Sequence, residues 1–390
     1  PFRIGDRVIE IVPPSGIEPR FRTRFTRTVW HAAGGAIEIA LDEGEIVAGD
    51  RTRPILELEL ELKAGDAAAL WELALDLVGR GDATIALLPF GESKAARGVR
   101  LARRSRAEPA KANAKAFAAA STAEAPVGAV LRSIIGTGTH LLLANAYGLA
   151  SGDDPEFVHQ ARVAVRRMRA ALRLFEEEVD FPPRLAAGLR WIGRELGRAR
   201  DRDVFALQTL PALAPDAPIR SEAERRRVRA WRRLRARVAS VRFATLALRL
   251  LQWSETPAGH GTELRNFAPR ALRRLHRGLR RAARGFDTLA AAEQHRVRIR
   301  AKRLRYAVEA LACVYPKRAT ATFSARLAAL QDILGALNDS VVARELLAQI
   351  APPRTGANRA LRAELARRHA ALARAAAAAL AALGHVDVPW

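Results

Sequence analysis

The feature that most constrains this chain is the twenty-residue stretch Glu156–Phe175, EFVHQARVAVRRMRAALRLF, together with its second copy further on. His159, Arg162, Arg166, Arg169 and Arg173 recur at spacings of 3, 4, 3 and 4, which on a helix sets them in one stripe. Val158, Ala161, Val165, Met168, Leu172 and Phe175 keep the same rhythm one residue earlier and form an apolar seam beside it. Guanidinium groups stacked turn upon turn repel one another, so the stripe is costly unless an anion lies along it. With a pitch of about 5.4 Å, it offers one cation per turn, a spacing suited to a repeating anion. For one helix alone, a solvated arginine face explains the pattern equally well.

A second copy weighs against that plain reading. HRVRIRAKRLRY, from His295 to Tyr306, repeats the pattern 136 residues later, with Gln294, Val297, Ala301, Leu304, Val308 and Leu311 as its seam. Downstream, LGRARDRDV (Leu196–Val204) lines up with LGALNDSVV (Leu334–Val342). Two blocks at nearly one offset mark an internal duplication.

These blocks resemble the CHAD domain, the conserved histidine α-helical domain, from about Ala120 to the C-terminus. The resemblance implies inorganic polyphosphate bound along a basic surface between two helical halves. It places His159, Arg162, Arg166, Arg167, Arg169, Arg173, His295, Arg298, Lys302, Arg303 and Arg305 on the polyphosphate-facing side.

Charge is unevenly distributed. The formal net charge is +24, yet residues 1–90 carry 10 Lys/Arg against 15 Asp/Glu, leaving 55 against 26 for the rest. An acidic module joined to a polyanion-binding one fits this asymmetry, with nucleic acid as the usual first guess. Cys313 is the only cysteine, in an apolar setting, so a disulfide within the chain or a cysteine zinc site is excluded and a buried thiol is expected. No signal peptide opens the chain, and no run of about 18 strongly apolar residues is read as a membrane span. A cytoplasmic protein is therefore expected. The chain opens Pro-Phe-Arg rather than with Met, so part of the N-terminus is expected to be absent.

Residues 1 to about 65 read as strands. Arg20, Arg22 and Arg24 alternate with Phe21, Thr23 and Phe25, Gly34-Gly35 marks a turn, and Ile55–Lys63 is the strongest strand. There, Leu56, Leu58, Leu60 and Leu62 point one way and Glu57, Glu59 and Glu61 the other. The glutamates make either a solvated outer face or an inward carboxylate row for a hard divalent cation. Facing a strand with Arg20, Arg22 and Arg24, such a row would clamp a metal–phosphate chain. EIALDEGEIVAGD, ILELELELKAGD and GESKAARGVRLA resemble the C-terminal part of a CYTH domain, of the triphosphate tunnel metalloenzyme superfamily. That resemblance implies an eight-stranded antiparallel tunnel hydrolysing inorganic triphosphate with Mg²⁺ or Mn²⁺. It puts catalytic and metal roles on Glu57, Glu59 and Glu61 and phosphate contacts on Arg22, Arg24, Lys63 and Lys94. The Glu-x-Glu-x-Lys strand with which that family opens is absent before Arg20, so the expectation is either an incomplete tunnel whose first strand is missing or a module that has lost catalysis.

Asp66 is placed to cap a helix over 66–79, and a basic connector follows over 89–109. Eight helices are expected near 121–149, 155–179, 183–208, 219–250, 263–284, 289–315, 319–348 and 356–383. The architecture is thus α+β in two domains: a β-tunnel domain over 1–108, a linker over 109–120 and a helical domain over 121–390. The last is two four-helix repeats, about 121–250 and 263–385. Each repeat carries its stripe on its second helix, so both stripes can face one groove. Arginines near 225–237 and 273–281 would widen it or remain solvated. Asp201, Asp203, Asn338 and Asp339 are read as orienting the arginines rather than as metal ligands. No nucleophile or paired acid accompanies either histidine, so the helical part reads as a binder.

The function expected is polyphosphate binding joined to triphosphate binding or hydrolysis. The competing classes are a nucleic-acid binder and a non-catalytic scaffold on polyphosphate granules. Few aromatics interleave the basic stripes, Tyr306 chief among them, which argues against base stacking.

Overall fold

The computed structural model describes residues 2–4, 7–9, 18–80, 87–89, 91–117, 122–213, 219–350 and 356–390. It divides into two compact units, one formed by residues 1–74 and 90–108, the other by 75–89 and 109–390. Residues 10–17 ahead of Arg20, 214–218 and 351–355 lie outside the described residues.

In the N-terminal unit, β1 (Phe2–Ile4) and β2 (Arg7–Ile9) form an antiparallel pair. β3 (Arg22–Ala32), β4 (Ile37–Ala48) and β5 (Arg51–Leu62) form an antiparallel three-stranded sheet in the order β3-β4-β5. Among the described residues this sheet holds three of the eight strands that the resemblance implies, as an incomplete antiparallel β domain does. Gly49 turns β4 into β5 at φ +59°, a left-handed value that suits glycine at the first position of a two-residue hairpin loop.

Leu58, Leu60 and Leu62 share one face with Ile37, Ile39 and Leu41, whereas Glu57, Glu59 and Glu61 share the other with Asp42, Ala40 and Glu38. α1 (Ala67–Arg80) begins where Asp66 accepts a hydrogen bond from Ala68 N at 2.9 Å. The stretch read as a connector contains α2 (Lys94–Ala102), capped by the Ser93 hydroxyl, which accepts from Ala96 N at 3.1 Å. α2 packs on β4 and β5.

The helical unit opens with the short α3 (Ala114–Phe117) and continues through α4 (Val127–Ser151), α5 (Pro155–Leu174), α6 (Pro183–Val204) and α7 (Leu210–Leu213). Then come α8 (Ile219–Val238), α9 (Val241–Glu255), α10 (Leu264–Ala282), α11 (Ala291–Ala310), α12 (Lys317–Ile350) and α13 (Gly356–Gly384). The single helix expected over 219–250 is two. The chain leaves α8 at Ala239, and the Ser240 hydroxyl caps α9 by accepting from Phe243 N at 3.4 Å. Residues 109–113, read as a linker, dock instead on the helices. Asn145 accepts from Ala110 N at 3.1 Å and donates to Ala110 O at 2.9 Å, while Gln160 accepts from Ala112 N at 2.8 Å.

The duplication appears directly in the backbone. Val127 N donates to Thr262 O at 2.9 Å and Leu264 N to Ala125 O at 3.0 Å, so the entries to α4 and α10 pair antiparallel around Pro126 and Glu263. Those two residues are 137 positions apart, between the offsets of 136 and 138 that separate the duplicated blocks, as expected for equivalent positions of the two halves. Phe175 and Phe267 close the junction with ring centroids 5.3 Å apart. α4, with a mean hydropathy of 1.4 over 18 residues, is long and apolar enough to cross a bilayer, contrary to the reading that no such run exists. Half of that window is buried, and α4 packs against α5 and α9. Cys313, expected inside, is exposed on the short turn after α11.

Candidate functional site

α5 is held in place from both ends of its sequence logic. The Asp154 carboxylate caps it, accepting from Glu156 N at 2.8 Å, with Pro155 in the first turn. Its seam of Val158, Ala161, Val165 and Met168 is buried, which turns the neighbouring stripe toward α6 and α11. α11 repeats this arrangement with Val297, Ala301 and Leu304 buried. Gly193 and Gly197 of α6 let the stripe lie close. A Cβ on Gly193 would come 3.4 Å from Arg169 Nη1, and one on Gly197 would come 3.7 Å from Arg162 Nε.

The two stripes converge. Arg162 and Arg298, equivalent residues of the two repeats, each feel both Asp201 and Asp339, the equivalent acids of α6 and α12. Arg162 stands 4.0 Å from Asp201, and Arg298 donates to Asn338 Oδ1 at 3.0 Å. His295 Nδ1 lies 3.1 Å from the same Asn338 oxygen, which sets the proton on Nδ1. In the first repeat Arg200 takes the place of Asn338. Burial, then the Arg200 charge, pushes the His159 imidazole below its usual pKa.

Arg166 reaches across from α5 to donate to the Tyr306 hydroxyl of α11. Lys302 lies one turn beyond Arg298, with no carboxylate partner among the described residues. Burial, then Arg298, Arg166 and Arg162, push its pKa down to about 6. Arg298 is held down to about 10, mainly by burial. Burial raises the Asp201 pKa and Asp339 adds to the rise, while Arg162 opposes it. The Nε atoms of both Arg162 and Arg298 are buried without a hydrogen-bond partner, the same orphan in each repeat. The centre is therefore cation-rich and under-satisfied, a state that an entering anion relieves.

The rest of the anticipated set separates by position. Arg169 continues the stripe, its pKa lowered by burial and then by Arg190 and Arg194. Arg303 is exposed and feels Arg173, so the two stripes stay in touch at that end. Arg173 also pairs with Glu176 at 3.3 Å, and Arg305 with Glu309 at 2.7 Å. Arg167 is a correction. It is buried, donates through Nε to Ala112 O at 2.9 Å, pairs with Glu309 and lies over Tyr306. It follows Arg166 directly, so the helical turn carries it out of the stripe and into the packing between α5 and α11.

Arg190 and Arg194 were not legible from the first stripe, although their spacing of four beside Gly193 and Gly197 was the available signal. Most α8 arginines do not widen the groove. Arg225 and Arg226 pair with Glu222, Arg227 with Glu224, Arg233 with Glu195, and Arg235 donates to Leu149 O. Asp203 is buried and accepts from Trp231 Nε1 at 2.7 Å, which separates it from Asp201.

In the N-terminal unit the glutamates are not an open row. Lys94 Nζ sits 2.8 Å from Asp42, 2.9 Å from Glu57 and 2.6 Å from Glu59. Arg27 forks onto Asp42 with two bonds of 2.7 Å and reaches Glu59, Arg97 pairs with Glu57, and Lys63 pairs with Glu61 at 2.9 Å. These contacts, led by the Arg27 hydrogen bonds, hold the Asp42 carboxyl down at about 2. Arg22 and Arg24 do not join this face. Their strand partners are Val47 and Glu45, on the leucine side, because the two-residue period returns Arg27 rather than Arg22 or Arg24 to Asp42. The cations that face the carboxylate row are thus Arg27, Lys94 and Arg97 rather than Arg22 and Arg24. Among the described residues no three His, Cys, Asp or Glu side chains are placed to hold a metal ion. The carboxylates that would do so already neutralise the chain's own cations, so the face as it stands does not fit a divalent ion.

Comparison with known proteins bears on both units. The family model of the CHAD domain matches residues 133–348, and that of the CYTH domain matches residues 4–86. The inorganic triphosphatase of Haemophilus influenzae is 42% identical over 65 residues, 16% of this chain and 18% of that protein. The chain thus spans less than a fifth of that relative. An uncharacterized protein of Mycobacterium tuberculosis is 28% identical over 393 aligned positions, 90% of this chain and 71% of the relative. The crystal structure of the CHAD domain from the plant Ricinus communis superposes with a TM-score of 0.62 at 32% identity, covering 70% of this chain and 97% of that one. PptA from Streptomyces chartreusis shares the fold, with a TM-score of 0.52 at 20% identity, over 67% of this chain and 99% of its own.

Proposed function

Because the chain belongs to the CHAD family and carries a CYTH domain ahead of its helical one, we propose that its helical unit binds inorganic polyphosphate along the joined stripes of α5 and α11. One observation carries the reading: Arg162 and Arg298, from the two repeats, meet over the same pair of aspartates with their Nε atoms unpartnered. A linear polyanion supplies oxygens at every turn of both stripes, matching Arg162, Arg166, Arg169 and Arg298 with charge-assisted hydrogen bonds. The stripe is read as a binding surface rather than a catalytic one. A granule scaffold is the same reading without turnover anywhere in the chain.

Competition tests the assignment against the nucleic-acid alternative. Long-chain polyphosphate is expected to displace a labelled oligonucleotide from the full chain, while duplex and single-stranded nucleic acid at equal phosphate concentration leave bound polyphosphate in place. Displacement of polyphosphate by nucleic acid would reverse the assignment. Tyr306, the main aromatic near the stripes, is buried and engaged by Arg166, so it offers no face for base stacking.

For the N-terminal unit, the relationship to an inorganic triphosphatase supports short phosphate chains as the ligand, with Arg27, Lys94 and Arg97 as the contacting cations. Divalent-metal dependence comes with that relationship. The charged face is balanced by its own ion pairs. Phosphate release from tripolyphosphate with Mn²⁺ or Mg²⁺ decides whether binding extends to hydrolysis. A catalytic face predicts release that falls at least about tenfold in Glu59→Gln, whereas equal release by the variant removes that face from the reaction.

A further inference from the structure

We propose that anion binding at the junction of the two repeats is coupled to uptake of a proton by Lys302, so that the groove grips polyphosphate more tightly as pH falls. The inference rests on the polyphosphate reading above and adds a proton to it. Its basis is the composition of the cluster. On α11 Lys302 stands one turn after Arg298 and one turn before Tyr306, whose hydroxyl accepts from Arg166 of α5, so it lies between Arg298 and Arg166 where the stripes meet, and Arg162 of α5 and Asp339 of α12 act on it as well. Asp201 of α6 lies within reach of Arg162 and Arg298. On the flank toward α3 the neighbours of Tyr306 and Arg167 are Ala114 and Phe117, which carry no charge. On the flank toward α10, the contact is Arg300 against the Gly278 carbonyl, on the far side of α11.

Four basic side chains therefore share a half-buried space with two aspartates, and three of the four are arginines. An arginine keeps its proton near neutral pH, Arg298 included at about 10, whereas a crowded amine gives its proton up. Among these four side chains the excess charge is relieved at Lys302, whose pKa of about 6 follows from burial and then from that crowding. A phosphate chain entering beside it reverses both causes: anionic oxygens replace the repulsion with attraction and supply acceptors for an ammonium. Between the pKa of the free amine and that of the bound ammonium, each binding event takes up close to one proton. Linkage then makes affinity rise about tenfold per pH unit of acidification across that window. His159, held low by burial and then by Arg200, is a second group beside the cluster that can take up a proton, and for that reason the test also replaces the histidines.

The test is titration calorimetry of the full chain with long-chain polyphosphate at pH 8, in two buffers of different ionisation enthalpy, beside Lys302→Arg, Lys302→Met and the double variant His159→Asn/His295→Asn. The wild type is expected to take up about one proton per central site, and the histidine double variant the same. Lys302→Arg, permanently charged, is expected to bind at least as tightly at pH 8 with uptake near zero. Lys302→Met is expected to bind more weakly at pH 6, also without uptake. Binding with equal uptake in wild type and both Lys302 variants, or loss of uptake in the histidine variant alone, overturns the proton coupling and leaves the polyphosphate reading standing. No binding at any pH overturns both.

Discussion

Replacing Arg162 and Arg298 together by alanine is expected to weaken polyphosphate binding on the order of a thousandfold, with each single replacement costing tenfold to a hundredfold. Charge-assisted hydrogen bonds contribute roughly 1.5–3 kcal/mol each, and about 1.4 kcal/mol is a factor of ten. Both side chains are largely buried, both keep an unpartnered Nε, and both lie where the two stripes meet, so neither loss is made good by water or by a neighbour. The slope of log affinity against log salt should become shallower by roughly one for each charge removed. Alanine at the α10 positions Arg277 and Arg281, which are exposed, should change affinity by less than about threefold. Fluorescence anisotropy with labelled polyphosphate at three salt concentrations measures all of this. Equal losses at the junction and on α10 would mean a diffuse electrostatic surface rather than a central grip.

The second large effect separates a structural arginine from its neighbours in sequence. Arg167→Ala is expected to lower the stability of the helical unit by about 3 kcal/mol, the low end for breaking a buried ion pair, because Glu309 keeps Arg305 as a partner. That corresponds to a fall of roughly 6–10 °C in Tm. The variant loses the bond to Ala112 O, the contact with Glu309 and the stacking over Tyr306 and Phe117. Below its transition it should still bind polyphosphate within about threefold of wild type. Arg303→Ala should behave in the opposite way, with affinity reduced and Tm unchanged, since Arg303 is exposed and pairs with no carboxylate among the described residues. A loss of binding in folded Arg167→Ala would return that residue to the ligand-facing set.

These two arginines show what a one-dimensional pattern can and cannot resolve. Arg166 and Arg167 are adjacent and chemically identical, and a family motif covers both. One residue along a helix is a rotation of about 100°, enough to send Arg166 across the groove to Tyr306 and Arg167 into the packing beneath it. In the sheet the same lesson takes a different period. Arg22 and Arg24 look like partners for the glutamate row, but strand register puts Arg27 opposite Asp42 and leaves the other two on the leucine side. The carboxylate row itself was legible from alternation. Its occupation by Lys94 and Arg97 was not, because α2 lies more than thirty residues downstream of Glu59, in a stretch that reads as a connector.

Periodicity is a local property, and the sequence alone therefore determined the stripe on α5, its copy on α11, the leucine and glutamate faces of β5 and the twofold plan of the helical unit. Which charged groups face each other is a property of packing between segments distant in the chain. Only the tertiary structure decided that Arg162 and Arg298 share two aspartates, that Lys302 stands among arginines, and that Lys94 sits among three carboxylates. Coulomb energy depends on distance in space and on the solvent excluded between charges, and neither quantity is written in residue order.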